Sequence, residues 1–220
     1  MTILAVTGLK REAEIVGVAG VIAMTGGGDS VSLRQKLDAL HGDIKGVISV
    51  GLAGGLSPLL KVGEVVIADQ VIQDRETWRC SDAWRVALAA KLVGAHQGSV
   101  AASNTILENA KAKAALYEDT GALAADMESA VAGRFAAARH LPFAVLRVVS
   151  DDAAHALPPA ALVAMKPDGG IALSRVLGSL LRHPLQVGGL IRTARASNKA
   201  FKELLRCANL CGVGFSCPDL

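Results

Sequence analysis

The chain of 220 residues lacks features that would assign it to several classes of protein. Aromatic residues are only 3% of the composition, so we expect no Tyr- or Trp-rich recognition surface. The longest uncharged stretches, such as 46–60 and 92–107, are shorter than the ~18–20 residues that a membrane-spanning helix needs. The first apolar run precedes the nearby charges, which is the wrong order for a secretory signal. We therefore expect a globular cytoplasmic protein, whose 51% hydrophobic residues are ample for a core.

The cysteines form no recognisable disulfide or metal pattern. Cys80 stands alone, and Cys207, Cys211 and Cys217 lie near the end, with no Cys-x-x-Cys pair and no neighbouring His. This spacing favours reduced thiols and predicts neither a metal site nor a cofactor.

The net charge of +3 is unevenly distributed along the chain. Residues 182–220 contain six Lys or Arg and two Asp or Glu, whereas residues 1–181 contain 17 and 18. A weakly acidic body is a poor match for nucleic acid, because phosphate neutralisation dominates that affinity. We predict a main domain over 1–181 and a basic C-terminal extension over 182–220. Such a basic amphipathic segment can lie on an anionic membrane, or it can pack on the body or on a partner subunit.

Short apolar strands alternate with helices along the main domain. We predict strands at 4–6, 20–24, 47–50, 64–69, 99–102, 122–125 and 143–149, and helices after Asp29 and at 84–91, 107–117 and 131–138. In the helix after Asp29, the predicted apolar stripe includes Val31, Leu33 and Leu37. The pattern is typical of a three-layer α/β/α sandwich with a mixed, mostly parallel sheet. Ligands in such folds bind at the carboxyl ends of the strands.

Three acidic residues, Glu12, Glu128 and Asp151, follow predicted strands. Each acid alone could serve only as a helix cap. Together they match what cleavage of a glycosidic bond requires, because one acid protonates the leaving group while another carboxylate activates water on the opposite face of the sugar. A purine leaves readily once a carboxylic acid has protonated its imidazole nitrogen.

Two glycine-rich turns leave room for a ligand. The segment 51–55 lacks the G-x-G-x-x-G spacing of a dinucleotide site, but its backbone can pass close to a ligand. Gly27 lies in the middle of a triple-glycine turn before a helix, where free N–H groups can bind an anion. A tight turn with no ligand is the alternative for this second segment.

Three spaced motifs make the sequence resemble the nucleoside phosphorylase and nucleosidase superfamily, especially the methylthioadenosine/S-adenosylhomocysteine nucleosidases. G-L-A-G-G-L-S-P at 51–58 with K-V-G-E at 61–64 resembles their G-S-A-G-G-L-x-P and K-V-G-D. D-M-E-S-A at 126–130 resembles their E-M-E-A, and R-V-V-S-D at 147–151 resembles their R-x-I-S-D. The G-G-G-D turn, L-P-P-A-A-L-V at 157–163 and the basic extension are most similar to a branch linked to hopanoid lipid biosynthesis.

The resemblance implies a role for each acid in a nucleosidase-like catalytic domain. Asp151 would be the general acid at the purine N7, and Glu12 would be the base that activates water. Glu128 would hold the ribose hydroxyls, with Met127 packed under the sugar. The phosphorylases have a phosphate-binding Arg where Glu12 lies, and an acid there would repel phosphate, so we favour hydrolysis. The two basic residues just before Glu12 keep phosphorolysis open, because either can reach an anion.

Further substrate contacts follow from the same resemblance. Gly51, Leu52 and Ala53 match the relatives' ligand-contacting turn, with Leu52 in place of their Ser. Ile106 and Leu107 fall in the base-binding stretch, and Ile106 replaces a frequent Phe, which would weaken stacking on the base.

The region around the 5′ position of the substrate departs from the family. Pro158, Pro159 and Ala160 lie where relatives place an aromatic residue, leaving room for a bulky apolar group. The leading hypothesis is therefore hydrolysis of adenosylhopane to ribosylhopane and adenine by a homo-oligomer at the inner membrane surface. The segment between Ile15 and Met24, which supports dimer contacts in relatives, is shortened. Alternatives are a methylthioadenosine/S-adenosylhomocysteine nucleosidase, a phosphorylase and a non-catalytic nucleoside sensor.

Overall fold

The first strand of the computed structural model, β1 (Thr2–Thr7), shows how the sheet separates two apolar layers. Its residues Ile3 and Ala5 belong to the cluster on one face, and Leu4 and Val6 belong to the cluster on the other. This alternation follows from the two-residue repeat of a strand. The structure describes residues 2–18, 20–162, 168–170, 172–182 and 184–218.

The described residues form one eight-stranded sheet. The strands after β1 are β2 (Val21–Thr25), β3 (Ile44–Gly55), β4 (Val65–Gln73), β5 (Glu76–Arg79), β6 (His96–Ala102), β7 (Ala124–Asp126) and β8 (Phe143–Asp151). Their order is β2-β1-β3-β7-β6-β4-β5, and β8 pairs with both β3 and β4. Most pairs are parallel, but β3–β7, β4–β5 and β4–β8 are antiparallel. Because β3, β8, β4, β6 and β7 pair in a closed ring, this part of the sheet is rolled into a barrel.

Helices cover both faces of the sheet. They are α1 (Lys10–Val16), α2 (Ser30–Asp38), α3 (Asp82–Lys91), α4 (Ala110–Thr120), α5 (Ser129–Ala138), α6 (Pro159–Leu162), α7 (Leu173–Arg182) and α8 (Val187–Cys211). Leu33 of α2 and Phe135 of α5 belong to one apolar cluster, and Trp84 of α3 and Leu204 of α8 belong to the other. The predicted three-layer α/β/α architecture with a mixed, mostly parallel sheet is confirmed.

Local details differ from the predicted pattern. Strand β5, which forms a hairpin with β4, was absent from the sequence prediction. In α2, capped by Asp29, Leu33 and Leu37 are buried, but Val31 in the first turn is 67% exposed and lies outside the buried stripe. Helix α4 begins later than predicted because the Oδ1 of Asn109 accepts a hydrogen bond from the Ala112 N–H and caps the helix there. The residues at 106–107 therefore lie in a loop before α4.

The second half of the predicted C-terminal extension packs against the sheet. Phe201, Leu204 and Cys207 of α8 are buried in the same cluster as Trp84. The Trp84 indole N–H donates a hydrogen bond of 2.7 Å to the carbonyl of Phe215, which ties the end of the described chain to α3. The division at 181–182 stays a prediction. Within the described ranges, no helix is long and apolar enough to cross a membrane.

Candidate active site

One cavity lies where β1, β3, β7 and β8 end. Its wall contains the three acids Glu12, Glu128 and Asp151. The other predicted substrate-binding residues in the wall are Met127, Leu52, Ala53, Ile106 and Leu107. Residues far apart in the chain meet here because the parallel strands β1, β3 and β8 end on the same side of the sheet, and the short antiparallel strand β7 pairs with the last residues of β3.

Glu12 is held rigidly in the first turn of α1. Its Oε2 accepts hydrogen bonds from the N–H groups of Gly8 (2.7 Å) and Leu9 (2.8 Å), and its Oε1 accepts one from the Leu52 N–H (2.8 Å). Burial raises the pKa of the Glu12 carboxyl, although these N–H groups and the charge of Arg147 oppose the shift. The carboxylate is thus oriented and also made more basic, as a group that takes a proton from water requires.

Gly51 lies behind Glu12. A Cβ at this position would be 2.7 Å from Cδ of Glu12 and 2.8 Å from both carboxylate oxygens, which is closer than nonbonded atoms can pack. Among the described residues the cavity wall does not include Gly51. Gly51 therefore contacts the carboxylate of Glu12, and its contact with the substrate stays a prediction.

Glu128 follows β7 and immediately precedes α5, where it is buried. Burial is the main cause that raises the pKa of this carboxyl to about 7, and the charges of Asp126 and Glu12 add to the shift, while Arg147 opposes it. A Cβ on Gly8 would lie 3.0 Å from Oε1 of Glu128, so glycine leaves space for the carboxylate at this point.

The triple-glycine turn serves Glu128 in a similar way. A Cβ on Gly26 would lie 3.0 Å from Cγ of Glu128. The Gly26 N–H donates to the carbonyl of Thr7, and the Gly27 N–H donates to the carbonyl of Gly8, so neither N–H is free to bind an anion. Gly27 is not in the described cavity wall, and its predicted role in substrate binding stays a prediction.

Arg147 and Asp126 form a buried ion pair, and the charge of Arg147 acts on both Glu12 and Glu128. Nε of Arg147 lies 2.5 Å from Oδ2 of Asp126, and Nη2 of Arg147 donates a hydrogen bond of 2.5 Å to Ser49 Oγ. Oδ1 of Asp126 accepts hydrogen bonds from the N–H and hydroxyl groups of Ser129 at the start of α5. The sequence motif at 147–151 includes Arg147, but no role was predicted for it. The available signal was an arginine inside an otherwise apolar strand, since a buried charge needs a partner.

Asp151 ends β8 with both carboxylate oxygens occupied by partners. The Ser150 hydroxyl donates to Oδ1 (2.7 Å), and the ammonium of Lys113 forms an ion pair with Oδ2. Nζ of Lys113 also donates to the carbonyl of Asp152 (2.7 Å).

Lys113 lies in the cavity wall, and sequence reasoning missed it. It is 1% exposed, whereas Lys111 in the same helix is exposed. The sequence contained one usable signal. Lys113 is three and four residues from Leu116 and Tyr117, which pack in an apolar cluster, so it lies on the inward face of α4.

A cavity lined by acids at the ends of sheet strands is typical of α/β enzymes. The family model of the phosphorylase superfamily matches residues 12–182, and the chain belongs to this superfamily. The resemblance seen in the sequence is confirmed at this level, and the hopanoid branch stays a prediction.

Solved structures share the fold at low sequence identity. S-adenosylhomocysteine nucleosidase from Streptococcus pyogenes in complex with 5-methylthiotubericidin is 17% identical with a TM-score of 0.64, over 92% of this chain and 96% of that one. Methylthioadenosine/S-adenosylhomocysteine nucleosidase from Streptococcus pneumoniae in complex with 8-aminoadenine is 19% identical with a TM-score of 0.63, over 93% and 100%. A futalosine hydrolase mutant from Helicobacter pylori is 16% identical with a TM-score of 0.58, over 68% and 90%. No curated protein sequence matches the chain.

Proposed function

We propose that the protein is a nucleosidase that hydrolyses the N-glycosidic bond of a 5′-substituted adenosine and releases adenine. The observation that carries the proposal is the convergence of Glu12, Glu128 and Asp151 on one cavity. Asp151 delivers the proton that the purine needs, Glu12 activates water, and Glu128 binds the ribose hydroxyls above Met127. The structurally similar nucleosidases support this reaction class.

The charges around the cavity favour water over phosphate as the nucleophile. Phosphate would meet the carboxylates of Glu12 and Glu128, which repel it. Arg147, whose charge acts on both acids, is already paired with Asp126, and Lys113 in the cavity wall is paired with Asp151.

The two basic residues that left phosphorolysis open have other partners. Nζ of Lys10 lies 2.6 Å from Oδ2 of Asp168, and Arg11 donates to Asn198 (3.0 Å) and stacks on the ring of Phe201. These contacts engage both side chains away from the reacting acids, which supports hydrolysis.

Adenine release with and without inorganic phosphate tests the reaction class. We expect equal rates in the two buffers, and a 5-substituted ribose with a free anomeric hydroxyl, rather than its 1-phosphate, as the sugar product. Glu12→Gln and Asp151→Asn should each lower kcat by ~10² or more while the protein stays folded. The matched control is Glu14→Gln, which changes an exposed acid in the same helix and should leave kcat unchanged. Strict dependence on phosphate would refute the role of Glu12, and the absence of any adenine release would favour the sensor.

For the substrate, we favour adenosylhopane, which yields ribosylhopane and adenine. The support is the resemblance to the hopanoid-linked branch together with the apolar residues around the cavity. Leu52, Ile106, Leu107 and Leu157 are in the wall, and Leu157 leads into α6, whose P-A-A-L sequence contains no aromatic residue. A comparison of kcat/KM for adenosylhopane in vesicles, methylthioadenosine and S-adenosylhomocysteine decides the point. A preference for either soluble nucleoside would replace this substrate with the one that the similar solved nucleosidases indicate.

An exposed apolar patch near the start of α8 supports peripheral contact with an anionic membrane. Leu185 is 98% exposed, and Val187 and Ile191 are about half exposed, beside the exposed Arg182 and Arg192. Gln186, in this patch, accepts a hydrogen bond from the N–H of Ala160 in α6, three residues after Leu157 of the cavity wall. This arrangement would let a lipid-linked nucleoside reach the cavity from the membrane surface.

Co-sedimentation with anionic vesicles tests the membrane contact. We expect the protein to bind and Leu185→Glu to release it, with binding weakened by salt. Leu210→Glu is the matched control, since Leu210 is an exposed leucine at the other end of α8. Equal recovery of both variants in the supernatant, at every salt concentration, would dismiss the contact. The predicted homo-oligomer is a separate proposal, and light scattering tests it.

A further inference from the structure

Lys113 is an unusual residue to find in the wall of this cavity. It is buried, and its ammonium is held by Oδ2 of Asp151 and the carbonyl of Asp152. Burying a lysine is costly, and a buried ion pair is seldom more stable than apolar residues of the same volume. Stability therefore gives a weak reason for Lys113, whereas its position against the acid that must protonate the substrate suggests a chemical reason.

The contacts of Asp151 create a difficulty for a general acid. A general acid must hold a proton at the moment the leaving group departs. Yet Oδ2 of Asp151 faces the buried ammonium of Lys113, which can only donate, and Oδ1 lies 2.7 Å from the Ser150 hydroxyl, which is also 3.2 Å from the carbonyl of Ala53. The ammonium therefore holds a transferable proton directly against the carboxyl that must deliver one to adenine.

We infer that Lys113 is the proton reservoir for the leaving base and acts through Asp151. This inference rests on the proposed nucleosidase function. Nζ of Lys113 passes a proton to Asp151, Asp151 passes a proton to N7, and the electron pair of the breaking C–N bond goes to the base. Water adds to the sugar carbon, and Glu12 takes its proton.

The charges balance through this step. The lysine becomes neutral, Asp151 returns to its ionised form, Glu12 becomes a neutral acid, and adenine and the ribosyl product leave uncharged. Solvent carries the proton of Glu12 back to Lys113 after product release. Lys113 is a positioning residue in this scheme, because it works through Asp151.

Two variants separate the charge of Lys113 from its ability to give up a proton. Lys113→Met keeps most of the volume and removes the charge, whereas Lys113→Arg keeps a charged partner for Asp151 that cannot be deprotonated. We expect both to lower kcat for adenine release by ~10² or more with KM within ~3-fold. Lys111→Met, the control for an exposed lysine of the same helix, should behave as the wild type. Circular dichroism and thermal unfolding establish that each variant is folded.

A second substrate shows whether proton delivery is what has been lost. The 4-nitrophenyl riboside has a leaving group that departs without protonation, so we expect its hydrolysis to change by less than ~3-fold in both variants. Propylamine should also restore part of the adenine release in Lys113→Ala, as a free amine supplied to the site, which serves as a readout if the nitrophenyl riboside is not bound.

The outcomes are distinguishable. Normal adenine release by Lys113→Met, recovery by Lys113→Arg, or an equal fall for both substrates without amine rescue would overturn the inference while leaving the nucleosidase function intact. Wild-type protein that releases no adenine would instead refute the proposed function itself.

Discussion

Replacing Glu128 with glutamine should make the protein more stable at alkaline pH. The carboxyl of Glu128 is buried, and its pKa is raised to about 7 from its ordinary 4.5. The folded protein therefore holds a proton that the unfolded chain releases between pH 4.5 and 7. Because the folded state binds more protons in this window, the free energy of unfolding falls as the pH rises through it. Glutamine has nearly the same shape and cannot ionise, so it removes this loss.

The size of the effect follows from the two pKa values. At 1.36 kcal/mol for each pH unit, the difference between 4.5 and about 7 corresponds to about 3 kcal/mol above pH 7 and to almost nothing at pH 4.5. Part of this effect is the repulsion between the charges of Glu128 and Glu12, which contributes to the raised pKa and which glutamine removes. The same variant should bind the ribose poorly, so we expect a more stable but less active enzyme.

Urea unfolding of wild type and Glu128→Gln at pH 5, 6, 7 and 8 measures the effect. The difference in unfolding free energy should grow from pH 5 to pH 7 and level off by pH 8, and the slope of free energy against urea should stay constant. Glu118→Gln is the matched control, since Glu118 is exposed and should show no such trend. A difference that is the same at every pH, or that favours the wild type at pH 8, would refute the reasoning.

Two further predictions concern packing. Gly51→Ala should lower kcat by ~10-fold or more, because the new methyl group displaces the carboxylate of Glu12. The control Gly188→Ala meets open space and should have no effect in the same adenine-release assay. Unchanged activity of Gly51→Ala would show that Glu12 can move without loss. Leu204→Ala should destabilise the protein by about 2–5 kcal/mol, as expected for a buried leucine. Leu205→Ala, at a half-exposed position, should destabilise it much less. Equal midpoints of urea unfolding for the two variants would mean that α8 does not pack on the body in solution.

Helix α8 illustrates what a pattern of residues leaves open. Its charges and apolar residues fitted both a membrane-surface helix and a helix packed on the body. In the structure Phe201 and Leu204 are buried against the sheet, whereas Val187 and Ile191 are exposed. Hydrophobic periodicity identifies the apolar face of a helix but not the surface that covers it. Only the packing of the whole chain shows that the first half of this helix is exposed and that the second half is buried on the body.

The barrel also lay beyond the reach of local patterns. The alternation of strands and helices correctly indicated three layers, because each strand and helix shows its buried side in a short window of sequence. The closure of β3, β8, β4, β6 and β7 into a ring depends on pairings between distant strands, including the antiparallel contact of β4 with β8. Nothing within a single strand specifies such a partner.

The sequence by itself determined which strands end in acids and which turns contain the glycines beside them, and this sufficed to predict that Glu12, Glu128 and Asp151 would lie together, but not that Lys113 would join them in the cavity wall. Tertiary structure decided the chemical state of those acids. The pKa of Glu128 depends on burial and on the charges of Asp126, Arg147 and Glu12, and the partner of Asp151 is a lysine 38 residues away. Desolvation and Coulomb interactions act through space, so the neighbours that set proton affinity become known only when the chain is folded.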